Sequence, residues 1–372
     1  MDLHLIPRLV EANCIQIGQF KLKSGDISKY YFDMKNLVAH PLLLKEIGDA
    51  LYKKMGEFDI ICGVPYGGLP IASYISTTYN KPLIYMRDSV KKYGTQKRIE
   101  GSFKSSDRCV IVDDVITSGG SLQEVIEYLE DKLIIEKCIV VIDRQQSKCC
   151  TYEVDSIITK TNVVNYRLQE IKNKKNSDLC FAADVSDIDK LWRIIDIIGP
   201  YIVVCKIHYD IVPYDQQPLF KKRIIELSIE HNFLIMEDRK FNDISYIVKK
   251  QYQLYENWVD LVTVHALVTS SVIKCLSGAM IVANMSNNSY DFIENAVELA
   301  TENEKNVIGF ITQCRMGEKF ICMTPGISLE NKNVDDQKYR SGNIDTDIRI
   351  IGRAIYDSKK LDEDIKRLLY YE

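Results

Sequence analysis

No CxxC pair occurs among the eleven cysteines, which are scattered from Cys14 to Cys322. Cys149 and Cys150 are adjacent, a poor geometry for an ordinary bridge. A disulfide framework and a zinc ribbon are therefore excluded, and reduced, mostly core-filling thiols of a cytoplasmic chain are expected. The five histidines, His4, His40, His208, His231 and His265, show no paired metal-ligand spacing. No apolar run approaches the ~18 residues of a membrane span. The stretch from Met1 to Asn13 lacks the apolar segment of a secretory leader. An excess of one charge is missing too: 48 basic residues face 52 acidic ones, a net charge of −4. That balance offers no general attraction for nucleic acid or an anionic membrane, so a strongly anionic ligand needs a local cationic pocket. What is present is ordinary for a globular protein: 372 residues, 46% hydrophobic and 27% charged. At ~150 residues per domain, that length predicts about two to three domains.

Two organisations follow one another along the chain. Short apolar runs at 60–65, 82–87, 108–115, 138–144 and 156–159 alternate with helix-length segments such as 121–133. This is the pattern of an α/β domain whose parallel sheet is covered on both faces. A polar basic cluster, Lys172-Asn173-Lys174-Lys175-Asn176, then marks a boundary. The expected division is 1–165, a short linker over 166–178, and 179–372. In the last segment apolar runs recur at 179–185, 201–208, 233–241, 261–267, 279–285, 307–312, 320–325 and 347–353. Eight strand candidates in roughly 195 residues suit a compact (β/α)8 TIM barrel, whose functional face is the carboxyl end of its strands. Those ends carry Asp184, Lys206, His208, Asp238, Lys240, His265, Ser286 and Arg353. Polar residues of opposed charge do not crowd one rim for packing reasons, so the barrel is expected to hold a site.

In the first domain, Val110-Ile111-Val112-Asp113-Asp114 leads into Val115-Ile116-Thr117-Ser118-Gly119-Gly120-Ser121. An apolar strand ends in two carboxylates, then in a hydroxyl- and glycine-rich turn that opens a helix. Backbone N–H groups of such a turn, with the helix N-terminus, form a concave anion receptor. No Gly-Lys-Ser/Thr follows, so this is not a Walker loop. The stretch resembles the phosphoribosyl-pyrophosphate (PRPP) motif of type I phosphoribosyltransferases. The resemblance implies that Asp113 and Asp114 face the ribose hydroxyls of PRPP, whose diphosphate carries Mg²⁺, and that Thr117, Ser118, Gly119, Gly120 and Ser121 hold the 5-phosphate. Leu22-Lys23-Ser24-Gly25 with Tyr30-Tyr31-Phe32-Asp33, Gly63-Val64-Pro65-Tyr66-Gly67-Gly68-Leu69-Pro70 and Asp143-Arg144-Gln145 resemble segments of orotate phosphoribosyltransferase. By that likeness Lys23 reaches the diphosphate, Tyr31 and Phe32 frame the pyrimidine, and Arg144 contacts orotate. The segment Arg87-Asp88-Ser89-Val90-Lys91-Lys92-Tyr93-Gly94 falls where the family has a mobile loop, and Arg87, Lys91 and Tyr93 would neutralise the departing diphosphate.

In the second domain, Asp238-Arg239-Lys240-Phe241-Asn242-Asp243 closes the third strand. Residues two apart on a strand share a face, so Asp238 and Lys240 are expected to point the same way. Lys206 ends the strand before and Asp243 lies just beyond, which makes an alternating array of ammonium and carboxylate. The pattern Asp-x-Lys-x-x-Asp resembles orotidine 5′-monophosphate decarboxylase. Phe181-Ala182-Ala183-Asp184-Val185, Lys206-Ile207-His208, Ser286, Thr324-Pro325-Gly326, Gln337, Tyr339 and Gly352-Arg353 extend the likeness. It implies that Asp184 binds the ribose, Ser286 reads the pyrimidine edge, and Gln337, Tyr339, Gly352 and Arg353 grip the phosphate, with His208 and Pro325 also among the orotidylate-binding residues. It also implies a dimeric barrel in which Asp243 serves the partner's site. The chain departs from the family at Ile247, where a threonine is usual, and at Ala182, where a serine is usual.

The order of the two halves resembles the bifunctional uridine 5′-monophosphate synthase family over nearly the whole chain. That implies an enzyme of de novo pyrimidine synthesis. Orotate and PRPP give orotidylate with Mg²⁺, and a cofactor-free decarboxylation then gives UMP. Two rivals remain at this level: an active transferase with a weakened barrel, motivated by Ile247, and a PRPP-sensing regulator without catalysis. A near-neutral chain shows no nucleic-acid-binding segment for the second.

Overall fold

A computed structural model describes residues 3–22, 25–87, 98–146, 150–285, 291–334, 337–342 and 344–370. The chain forms two compact units, one of Met1–Ile17 with Tyr30–Val163 and one of Gly18–Lys29 with Val164–Glu372. Among the described residues no helix is long and apolar enough to cross a membrane.

The first unit is built on a six-stranded sheet in the order Ile99–Glu100, Leu83–Met86, Ile60–Gly63, Arg108–Ile116, Ile134–Asp143, Val154–Thr159. All neighbours are parallel except the antiparallel edge pair Leu83–Met86 and Ile99–Glu100. Ile60–Gly63 is buried throughout, as a central strand covered on both faces must be. Helix Pro41–Met55 shows why such a cover forms. Proline opens its first turn, Leu43, Ile47, Leu51 and Met55 make a buried stripe at one-turn spacing, and Gly56 at φ +72° ends it. The first-domain strands therefore occur where the apolar runs place them.

Residues 166–175, expected as linker, instead continue helix Lys160–Lys175. Leu168 and Ile171 are buried, and the lysines are anchors: Lys172 Nζ donates to the Asp347 carbonyl, and Lys175 Nζ to those of Gly199 and Ile202, at 2.7–2.8 Å. A lysine cluster looks solvated in sequence because its stems are apolar and only its tips reach carbonyls.

The second unit is a closed, all-parallel barrel of Leu179–Ala182, Ile202–Ile207, Leu234–Phe241, Leu261–His265, Ala279–Val282, Val307–Ile311, Ile321–Thr324 and Ile348–Ile351. The last strand pairs with the first, Arg349 opposite Leu179, and buried Arg349 forks onto Asp178 at 2.6 and 2.7 Å across that seam. Helices such as Ile188–Ile198, capped by Asp187 and buried along Leu191, Ile194, Ile195 and Ile198, cover the outside. A second buried pair joins Lys29, on hairpin strand Ile27–Phe32, to Asp260 at the start of the fourth barrel strand. Lys29 Nζ also donates to Ser228 Oγ at 2.7 Å, and Asp260 accepts from the Ile235 amide at 2.7 Å.

Candidate functional site

At the carboxyl ends of the barrel strands lies a cavity of about 410 Å³. Asp184, Lys206, His208, Asp238, Lys240, Pro325, Tyr339, Gly352 and Arg353 all line it. Asp238 is buried and central. Its Oδ2 accepts from Lys206 Nζ and Lys240 Nζ, both at 2.8 Å, and lies 3.4 Å from His208 Nε2. Lys206 also reaches Asp184 at 3.4 Å. Burial alone would push the Asp238 carboxyl up, but the ammonium of Lys206, then Lys240 and the His208 ring, hold it well below the usual carboxylate range. Burial likewise disfavours the charge on Lys206, and Asp238 and Asp184 more than reverse this, raising its pKa. His208 is lowered by burial and by Lys206, which favours a neutral ring. The result is one ionised acid clamped by two ammonium groups.

Asp238 and Lys240 meet by a less regular route than strand alternation. The ladder to the next strand shifts register between Glu237 and Phe241, and Lys240 sits at φ +51°. A left-handed lysine is strained, at roughly 1–3 kcal/mol, and persists only where its surroundings enforce it. Asp243 does not join this cluster: it is exposed, and its Oδ1 accepts from the Ile244 amide at 2.7 Å. His265, half-buried at the end of its strand, is not among the cavity-lining residues.

In the first unit, Asp113 and Asp114 lie within the central strand Arg108–Ile116, near its carboxyl end. Asp113 is buried and Oδ1 accepts from the Asp114 amide at 2.8 Å; Asp114 Oδ1 accepts from the Val115 amide at 2.8 Å. Burial, then the Asp114 charge, push the Asp113 carboxyl well above its ordinary range. The loop at Gly67-Gly68 closes on this strand. A Cβ on Gly67 would lie 2.0 Å from Asp114 Oδ2, and one on Gly68 2.4 Å from the Val112 carbonyl. Thr117 and Ser118 follow the strand, and helix Gly120–Leu129 starts after Gly119 at φ +82°, with Ser121 in its first turn. This delivers the anticipated turn and helix N-terminus. The Arg144 guanidinium stands 5.7 Å over the Phe32 ring, Tyr31 is exposed, and Arg87 pairs with Glu100 at 2.9 Å.

Lys23, Lys91, Tyr93 and Ser286 lie outside the described residues. The backbone of Gln337 pairs with Val334. Four residues of the barrel site escape a reading of the sequence. Thr263 Oγ1 touches both Asp238 and Lys240. Tyr356 lines the cavity with Arg353, one turn earlier on helix Arg353–Tyr356. Asn284, also on the wall, accepts from the Gln313 amide at 2.6 Å. Glu237 is fully buried next to Asp238. Its Oε2 accepts from the Tyr209 amide at 3.0 Å, its Oε1 has no hydrogen-bond partner among the described residues, and burial pushes its pKa up to about 8.

Residues 177–368 match the profile of the orotidine 5′-phosphate decarboxylase / HUMPS family, and residues 33–171 that of the phosphoribosyl transferase domain. A uridine 5′-monophosphate synthase of Bos taurus is 30% identical over 447 aligned positions, covering 95% of this chain and 93% of that protein. An orotate phosphoribosyltransferase of Methanocaldococcus jannaschii is 42% identical over 38% of this chain and 81% of its own. An orotidine 5′-phosphate decarboxylase of Pichia kudriavzevii is 35% identical over 53% of this chain and 86% of its own. Fold and sites thus define a phosphoribosyltransferase domain joined in one chain to a decarboxylase barrel. With both profiles matched in that order and the likeness end to end, the chain belongs to the uridine 5′-monophosphate synthase family.

Proposed function

We propose that the two sites act in succession on one nucleotide, the first making orotidylate from orotate and PRPP and the second releasing CO₂ to give UMP. The observation that carries the second step is the single Asp238 oxygen shared by two lysine ammoniums in the barrel mouth. A carboxylate held ionised there repels the carboxylate at C6 of orotidylate, while Lys240 faces the carbanion that forms. The C6–carboxylate bond breaks, its electron pair stays on C6, and Lys240 transfers a proton to that carbon. Lys206 keeps Asp238 aimed and reaches the ribose with Asp184 and His208. Arg353, Gly352, Tyr339, Gln337 and Pro325 take the phosphate, where barrels of this type bind it.

In the first step Asp113 and Asp114 face the ribose hydroxyls and stabilise the oxocarbenium-like centre left when diphosphate departs from C1. Their hard oxygens fit a PRPP that carries Mg²⁺ on its diphosphate. The cation would neutralise leaving-group charge. Thr117, Ser118, Gly119, Gly120 and Ser121 cradle the 5-phosphate, Arg144 with Phe32 and Tyr31 frames orotate, and Lys23, Arg87, Lys91 and Tyr93 face the diphosphate. Residues 1–165 carry this step and 179–372 the decarboxylation. Ser286 reads the pyrimidine edge.

Exposed Asp243, flanked by exposed Ile244 and Tyr246, suits a homodimer in which it reaches the neighbouring copy's Lys240. The ten described cysteines are unbridged, which supports a reducing, cytoplasmic setting. The test is to follow orotate, orotidylate and UMP together after adding PRPP and Mg²⁺ to purified protein. Orotidylate should rise transiently and UMP accumulate; orotidylate that persists would return the weakened-barrel reading.

A further inference from the structure

We propose that Thr263 is a positioning residue of the decarboxylation, its hydroxyl fixing Asp238 and Lys240 in one arrangement. The inference rests on the decarboxylase reading of the barrel.

Thr263 is fully buried on strand Leu261–His265, opposite the stretch where the third strand loses its regular ladder. Its Oγ1 donates to Asp238 Oδ1 at 2.8 Å and accepts from the Lys240 amide at 2.9 Å. A threonine hydroxyl has one proton, so these two bonds have one consistent direction. Two consequences follow. Binding Oδ1 sets the plane of the carboxylate and leaves Oδ2 facing both ammoniums. Accepting the Lys240 amide provides for a backbone group that the left-handed turn at φ +51° has taken out of the ladder.

Without the hydroxyl, the Asp238 carboxylate can turn about its Cβ–Cγ bond and ease away from the substrate's charge. The Lys240 amide then loses its acceptor in a partly buried place. The plainer account makes Thr263 a β-branched strand residue filling a layer of the barrel. On that account valine, with the same shape, serves equally well, and the hydroxyl is what separates the two accounts.

Decarboxylation of added orotidylate by wild type, Thr263→Val and Thr263→Ser decides between them, with the dissociation constant of UMP measured for each. Loss of a buried hydrogen bond to a charged group should lower kcat of Thr263→Val about 10- to 100-fold. KM and UMP affinity should stay within about threefold, because the group acts through Asp238 and Lys240 and not on the bound nucleotide. Thr263→Ser, which keeps the hydroxyl and loses the methyl, should return to within about threefold of wild-type kcat. A valine variant at wild-type kcat, or a serine variant as slow as valine, overturns the proposal. So does a loss that appears equally in UMP affinity. Should Thr263→Val not fold, Thr263→Cys replaces it; near-isosteric but a weak hydrogen-bonding group, it is expected to be slow, and a wild-type rate refutes the role. Wild type that leaves orotidylate untouched refutes the decarboxylase reading instead.

Discussion

Replacing Lys240 by glycine and by alanine separates the chemistry of this residue from its backbone. Both variants lose the ammonium 2.8 Å from Asp238 and should form no UMP, so orotidylate accumulates as PRPP is consumed. Their stabilities should differ. Lys240 sits at φ +51°, where any residue with a Cβ is disfavoured by roughly 1–2 kcal/mol and glycine is not. Glycine gives back about 0.5–1 kcal/mol through the greater entropy of its unfolded chain. The net expectation is Lys240→Gly more stable than Lys240→Ala by about 0.5–1 kcal/mol. For a domain of this size that moves Tm by roughly 1–4 °C. Calorimetry of both variants, alongside chromatography of orotidylate and UMP, makes the comparison. A glycine variant no more stable than alanine would refute the claim that this lysine is held in a strained conformation. UMP formation by either would refute its role as proton donor.

Other expectations are narrower. Arg353→Ala removes a charge-assisted phosphate contact worth roughly 1.5–3 kcal/mol, so KM for orotidylate should rise about 10- to 150-fold; an unchanged KM places the phosphate elsewhere. Asp113→Asn with Asp114→Asn should stop formation of orotidylate from orotate and PRPP while supplied orotidylate is still decarboxylated, and equal loss of both reactions would contradict separate sites. Glu237 titrates near 8 in the folded barrel against an ordinary 4.5. Between those values the folded state holds the extra proton, so this carboxyl's contribution is full below about pH 4.5 and is lost as pH rises through about 8. Glu237→Gln should therefore flatten the fall of Tm between about pH 5 and 8 and exceed wild type at the upper end, and parallel curves would show that Glu237 is ionised throughout.

Much of this was visible in the residues themselves. All eight barrel runs became strands, because a strand buried on both faces must be a nearly unbroken apolar stretch. The ladders stop early, however: the first ends at Ala182, and Asp184 stands beyond it. Apolar character continues into the loop for the sake of the site, and composition cannot mark where pairing ends. Asp238 and Lys240 do share a face, but through a register shift and a left-handed residue that alternation does not anticipate. Thr263 was invisible because a threonine within Leu261–His265 is also what a strand prefers. Helix Lys160–Lys175 was hidden by its lysine-rich end, although buried Val164, Leu168 and Ile171 carry the helical spacing.

The pairing of Lys29 with Asp260 means that the barrel's sequence is not one uninterrupted piece. A fragment beginning at Val164 would keep every strand of the barrel and every cavity-lining residue, yet would take the Lys29 ammonium away from a fully buried aspartate. Poor behaviour of such a fragment would say nothing about its catalytic competence. Neutralising that carboxylate with Asp260→Asn, or supplying residues 18–29 by circular permutation, is the way to study the second reaction alone.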